Sequence, residues 1–216
     1  VAGSLPHVPA HPGLDVLCRR PPRLATLGEL PLVRDDDYVE AITRATADLD
    51  RSYLAVQGPP GSGKTYVGAR VIAALIDRGW KIGVVAQSHA VVENLLTAAI
   101  EAGVPPERVA KPVRGRRQVP WRGGTSNDHV AAALGEAGGI LIGGTAWTMT
   151  GKAVAPGALD LLVIDEAGQF SLANTLAVTR ATSRLLLLGD PQQLPQVSQG
   201  THPQPVDVSA LGWLSQ

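Results

Sequence analysis

Five short apolar runs punctuate the chain, at 52–57 (SYLAVQ), 81–87 (KIGVVAQ), 140–144 (ILIGG), 159–166 (LDLLVIDE) and 184–190 (RLLLLGD). Each is too short for an ordinary helix and is apolar at consecutive positions, the pattern of a strand covered on both faces. Between several of them lie stretches of helical periodicity, notably 63–77, 89–101 and 169–180. A further helix is expected over 35–50, where Tyr38, Ile42, Ala45 and Leu49 recur three or four residues apart behind a run of acids. Alternation of this kind predicts an α/β fold, a mostly parallel sheet with helices on both faces. No internal repeat or low-complexity tract interrupts it.

The two ends read differently. Six of the 17 prolines fall within residues 1–34 and periodicity there is weak, so an extended lead-in or linker is expected. The chain opens on Val1 rather than Met, which suggests a piece of something longer.

Four of the apolar runs end in polar residues or glycine: Gln57-Gly58, Gln87-Ser88, Asp165-Glu166 and Gly189-Asp190. In open α/β sheets the carboxyl ends of the strands form the ligand crevice, so these four tips are expected to meet. The first leads into GPPGSGKT, Gly58 to Thr65, which satisfies GxxxxGK(S/T) between a strand and a helix. Glycines at 58, 61 and 63 let the backbone turn its N–H groups onto a phosphate, and the helix start adds unpaired donors. Pro59, Pro60, Ser62 and Tyr66 complete the expected nucleotide-binding segment. Lys64 would reach the β- and γ-phosphates, and the Thr65 hydroxyl would ligate Mg²⁺.

A partner for that metal stands at the end of LLVIDEAGQ. Asp165 would hold Mg²⁺, and Glu166 would take the proton of an attacking water. The same residues satisfy DxxGQ, a pattern of small GTPases, but the chain has no NKxD segment to read guanine. ATP is therefore the expected nucleotide.

Composition narrows the setting. Nineteen basic residues balance 19 acidic ones, so any nucleic-acid site must be local. A single cysteine, Cys18, forms no internal disulfide and fits a reducing compartment, hence the expectation of a cytoplasmic protein. No apolar run nears the ~18 residues of a membrane span. His7 and His11 straddle Pro9 and read as surface histidines rather than a metal pair. There is no Gly-x-Ser-x-Gly nucleophile elbow.

GPPGSGKT, together with VVAQSHAVVENLL, LIGGTAWTMTG, VIDEAGQF and GDPQQLPQVSQG, resembles the first motor domain of superfamily 1 helicases. The likeness is strongest to the 5′-to-3′ branch containing the nonsense-mediated-decay helicase and the Okazaki-processing nuclease–helicase. It spans roughly 35–200, and the segment from Gly189 onward also resembles actinobacterial proteins that join a RecB-like nuclease to such a motor. The resemblance implies a RecA-like P-loop NTPase domain over 35–201, with 202–216 beginning a linker to a second RecA-like domain. It implies Gln193 as a γ-phosphate sensor acting with Lys64 and Glu166, and single-stranded DNA or RNA as partner. The glutamine that family members place on adenine has no counterpart, since RDDDYVEAI occupies that region.

By the same resemblance Ser88, Asn94, Thr145 and Trp147 face the strand, Trp147 being as open to a core role. One basic cluster, 108–124, holds Lys111, Arg114, Arg116, Arg117 and Arg122 beside Trp121. Arg114, Arg116 and Arg117 are expected to clamp a phosphate backbone. His89 is equally compatible with strand contact and with packing. Two other classes remain open on sequence: a P-loop ATPase independent of nucleic acid, and a nucleotide-gated binding module without hydrolysis.

Overall fold

The computed structural model describes residues 9–113, 115, 117–193, 202 and 205–216. Helix α1 (Pro12–Leu17) and helix α2 (Tyr38–Asp48) precede strand β1 (Tyr53–Gln57), and α3 (Lys64–Ile76) follows the glycine-rich loop. Then come β2 (Lys81–Val85), α4 (His89–Glu101), β3 (Val109–Pro112), β4 (Arg122–Gly124) and α5 (Asp128–Leu134). The remainder comprises β5 (Ile140–Gly144), α6 (Ala146–Thr150), β6 (Leu161–Ile164), α7 (Leu172–Val178), β7 (Leu185–Gly189) and α8 (Ala210–Leu214).

The strands form one sheet in the order β1-β7-β6-β2-β5-β3-β4, every pair parallel. Both faces are covered, and alternate residues of each strand feed opposite layers. Ile82, Val84, Leu161, Val163, Leu186 and Leu188 pack toward α2, α3 and α4. Val85, Leu162, Ile164, Leu185 and Leu187 pack into the layer that contains Val130, Met149, Leu172 and Leu211. This is the RecA-like α/β architecture. The five apolar runs all became strands.

Strands β3 and β4 are additions to that reading. They are three or four residues long, contain Lys111, Pro112 and two glycines, and lie at the sheet's far edge. Of the two, only β4 is an edge strand, which needs little apolar surface; β3 lies inside it with Val109, Ala110 and Lys111 buried, and its Pro112 stands at the strand's end, past the residues paired with β5.

Within the lead-in expected to be extended, residues 11–27 dock on the domain, while 28–34 are mostly exposed. Val16 and Asp15 are fully buried. Asp15 accepts from Arg23 Nη2 at 2.9 Å and from the Ser52 hydroxyl at 2.8 Å, a buried carboxylate satisfied by two partners. The Trp213 indole N–H of α8 donates to the carbonyls of Val16 and Leu17 at 3.1 Å, and Arg19 lies 3.8 Å from its ring centroid. The two ends of the chain thus pack against each other. Among the described residues no helix is long and apolar enough to cross a membrane.

Candidate functional site

Parallel register sets the site. Gln57 of β1 lies opposite Gly189 of β7, and Ile164 of β6 opposite Leu187, so three loops leave the same sheet edge as neighbours. Pro60, Gly61, Gly63, Lys64 and Thr65 face Asp165, Glu166, Gly189 and Gln193 across a cleft of about 390 Å³. The fourth tip, Gln87-Ser88, does not line it. Strand β2 lies beyond β6, which carries the loop that follows it away from the cleft.

Gly61 and Gly63 have φ of 79° and 81°, the left-handed region that strains any other residue, and α3 starts directly after them. Lys64 Nζ donates to the carbonyls of Gly58 and Pro59, at 2.7 and 2.8 Å. Gly58, Pro59, Ser62 and Lys64 also line an adjoining cavity of about 310 Å³ with Tyr38 and Ile42 of α2. Tyr66 lies in neither cavity. It is exposed on α3, with the Arg70 guanidinium 3.4 Å from its ring centroid.

Asp165 is buried at the end of β6, and burial pushes its carboxyl up to about 6. The Glu166 N–H at 2.9 Å pulls it down, the Glu166 charge raises it, and Lys64 lowers it. A buried carboxylate with incomplete compensation in a cleft beside a hydroxyl suits a divalent cation. Among the described residues no three His, Cys, Asp or Glu side chains form a metal-holding group. A Mg²⁺ held here would rest on Asp165, Thr65 and the nucleotide's own oxygens, as this hard, hydrated ion is usually bound. Glu166 sits at φ 52°, a costly conformation for a side-chain-bearing residue and one that clusters at functional sites.

Gln193 lines the cleft as expected, and its Oε1 accepts from Gln169 Nε2 at 3.2 Å. Sequence reasoning gave Gln169 no role beyond the DxxGQ pattern. Its pairing depends on how two loops meet, which no local signal carries.

The residues expected to face a strand separate into two groups. Thr145 and Trp147 line a groove of about 520 Å³ with His89, Thr125 and Asn127. Trp147 is 86 % exposed, so it is not a core residue. Asn94 is exposed but outside the groove, and Ser88 caps α4 by accepting the Val91 N–H at 3.2 Å.

Among the described residues, the cations of the basic cluster are paired: Lys111, Arg117 and Arg122 each meet a carboxylate. Arg114 and Arg116 lie outside the described residues. Lys111 is buried and donates to Glu93 at 2.9 Å, and Arg117 holds the other oxygen of the same carboxylate at 2.7 Å. Burial alone would raise the Glu93 carboxyl; Lys111 and Arg117 more than offset it and hold it below the usual range. Arg122 pairs with Glu136 through both guanidinium nitrogens. Trp121, the aromatic neighbour of that cluster, is buried among Val109, Leu141 and their neighbours, just before the edge strand β4.

Comparison with known proteins agrees with this geometry. The family model described as AAA domain matches residues 37–206. The DNA replication ATP-dependent helicase/nuclease JHS1 of Arabidopsis thaliana is 25% identical over 172 residues, 77% of this chain and 13% of that protein. The helicase/nuclease DNA2 of Saccharomyces cerevisiae is 24% identical over 174 residues, 76% of this chain and 11% of its own length. The chain therefore spans a small part of either relative. Among solved structures, the Hef helicase domain of Pyrococcus furiosus superposes with a TM-score of 0.50 at 19% identity, over 82% of this chain and 35% of that one, a likeness of fold. With a family match across most of its length and the phosphate loop, buried acid and parallel sheet in one cleft, the chain belongs to the AAA domain family.

Proposed function

We propose that the chain is the ATP-binding core of a superfamily 1 motor that couples ATP hydrolysis to movement along, and unwinding of, DNA or RNA. One observation carries the nucleotide half: Lys64, Thr65, Asp165, Glu166 and Gln193, from three separate loops, line a single cleft. Loop N–H groups and Lys64 bind the phosphates, and Thr65 and Asp165 hold Mg²⁺. When bound, Mg²⁺ neutralises charge on the phosphate oxygens. Glu166 accepts the proton of the water that attacks the terminal phosphate, and Gln193 donates to that phosphate.

Similarity to two helicase/nucleases supports the nucleic-acid half, as does the exposed Trp147 indole on a groove lined by hydroxyl and amide side chains. Residues 35–201 form the motor domain in this reading, and 202–216 lead toward a second RecA-like domain supplying the arginine that speeds phosphoryl transfer. Such an arginine is worth roughly 10³–10⁵ in rate, so the 216-residue chain by itself binds ATP and turns it over slowly.

Titration of the chain with ATP and Mg²⁺ tests the core claim. Lys64→Ala is expected to weaken binding by on the order of 100-fold, the worth of strong charge-assisted hydrogen bonds, with the melting temperature unchanged. Equal affinity in the variant would remove the phosphate-loop reading. A second reading, an ATPase indifferent to nucleic acid, is favoured by the pairing of Lys111, Arg117 and Arg122 with Glu93 and Glu136. Absence of any binding to single strands of either kind would select it.

A further inference from the structure

Gln169 lies outside the cleft, yet its amide reaches the cleft wall through Gln193. Backbone geometry makes that contact. Glu166 at φ 52° turns the chain so that the Gln169 N–H bonds the Glu166 carbonyl at 2.8 Å. Gly168 then lies so near the end of β7 that a Cβ there would meet the Asp190 carbonyl oxygen at 1.9 Å. A Cβ on Gly189 would meet the Gly168 nitrogen at 2.8 Å. Two loops pressed together at bare glycines bring the two glutamines face to face.

A glutamine amide is two-sided, with an oxygen that only accepts and a nitrogen that only donates. With Oε1 held by Gln169, both N–H groups of Gln193 are left for the cleft it lines. Released from that bond, the amide could turn over and present its oxygen to a phosphate, which repels it. We propose that Gln169 is a positioning residue: it holds the Gln193 amide donor-forward, so that the cleft tells a nucleoside triphosphate from a diphosphate. The proposal rests on the triphosphate reading of the cleft. It adds the element that sets how sharply the third phosphate is sensed.

The test measures, on the chain itself with Mg²⁺, affinity for ADP and for the non-hydrolysable β,γ-imido analogue of ATP. Gln193→Ala should lower the preference for the analogue about tenfold, the worth of one hydrogen bond to a charged group. Gln169→Met keeps length and removes the donor; the preference should fall about threefold while ADP affinity holds, as for a mobile but present sensor. Gln169→Glu, an acceptor alone, should draw the Gln193 N–H groups to itself and lower the preference at least as far. In the Gln193→Ala background Gln169→Met should add nothing. A preference unchanged by Gln169→Met but lowered by Gln193→Ala overturns the positioning role and leaves the triphosphate reading standing. Equal loss for both nucleotides overturns it as well, since packing alone then explains the effect. A wild-type chain with no preference between the two nucleotides overturns both.

Discussion

The nucleotide cleft and the groove beside Trp147 both lie at loops that follow the carboxyl ends of parallel strands, yet they are built on different physics. In the cleft, backbone sets where the side chains meet: two left-handed glycines, a helix start and a register that sets Gln57 beside Gly189. The groove is lined by hydroxyl, amide and indole side chains, and the described cations of the basic cluster near it have carboxylate partners. Lys111 and Arg117 share Glu93 from α4, and Arg122 takes Glu136 from beyond α5. A glycine-rich loop keeps its meaning wherever it folds, because its donors are its own backbone. A run of arginines keeps its meaning only if no carboxylate folds against it.

The largest effect expected from breaking this contrast is at Gly168. Gly168→Ala puts a Cβ against the Asp190 carbonyl, a backbone atom that cannot swing aside. Overpacking of that kind should cost about 3–4 kcal/mol and lower the melting temperature by roughly 10 °C, with loss of nucleotide binding. An alanine variant that melts like wild type and still binds would show that the two loops are not seated on each other.

Asp165→Asn should act in the opposite sense on stability. The folded-state pKa of about 6 lies above the usual aspartate value of 3.8, so ionising Asp165 opposes folding. That penalty is absent below the unfolded value, grows as pH rises between the two, and is complete above about 6. Asparagine removes it, so the ligand-free variant should be more stable by about 2–3 kcal/mol at pH 7.5 and barely different near pH 4. Mg²⁺-dependent nucleotide affinity should fall at the same time. Melting curves at the two pH values check the sign, and a variant less stable at pH 7.5 would refute the burial account.

Glu93→Gln tests the groove's side of the contrast. It leaves Lys111 buried without a counter-charge and should cost about 2 kcal/mol, less than for a fully dry pair, because Glu93 keeps 15% of its side-chain surface in solvent. It also releases Arg117. Single-strand affinity should then rise and its logarithmic salt slope steepen by roughly 0.7, one added phosphate contact. An unchanged slope would place Arg117 away from any strand.

Trp147→Ala should be the quietest for folding. The side chain is 86% exposed, so stability should move by less than about 0.5 kcal/mol. Single-strand affinity should drop by about 1–3 kcal/mol, the worth of one stacked base. Fluorescence titration against short DNA and RNA strands reads this directly, and equal affinity in the variant would leave the indole without a role on nucleic acid.

Much of the fold was legible because it is periodic. Consecutive apolar residues marked strands β1, β2, β5, β6 and β7, and the helix spacing of Tyr38, Ile42 and Ala45 marked α2. Strands β3 and β4 were not, since each is only three or four residues long and β3 buries a lysine while β4 holds two glycines, so neither leaves an apolar run. The docked lead-in was hidden for another reason. Its prolines suggested an extended segment, but Asp15 finds Arg23 and Ser52 only after the chain has folded back over β1.

For the site, local spacing carried the phosphate loop and the acid pair after a buried strand, because each depends on neighbours a few residues away; the glutamine after the last strand was suggested by the family resemblance. Only the tertiary structure decided that Lys111 and Arg117 are spent on Glu93, that Trp121 is inside and Trp147 outside, and that Gln169 meets Gln193 across two glycines. These are contacts between segments up to 24 residues apart, made by the register of the sheet. Spacing along a chain fixes what a backbone turn can bind; which charge or amide is already engaged depends on what the fold brings beside it.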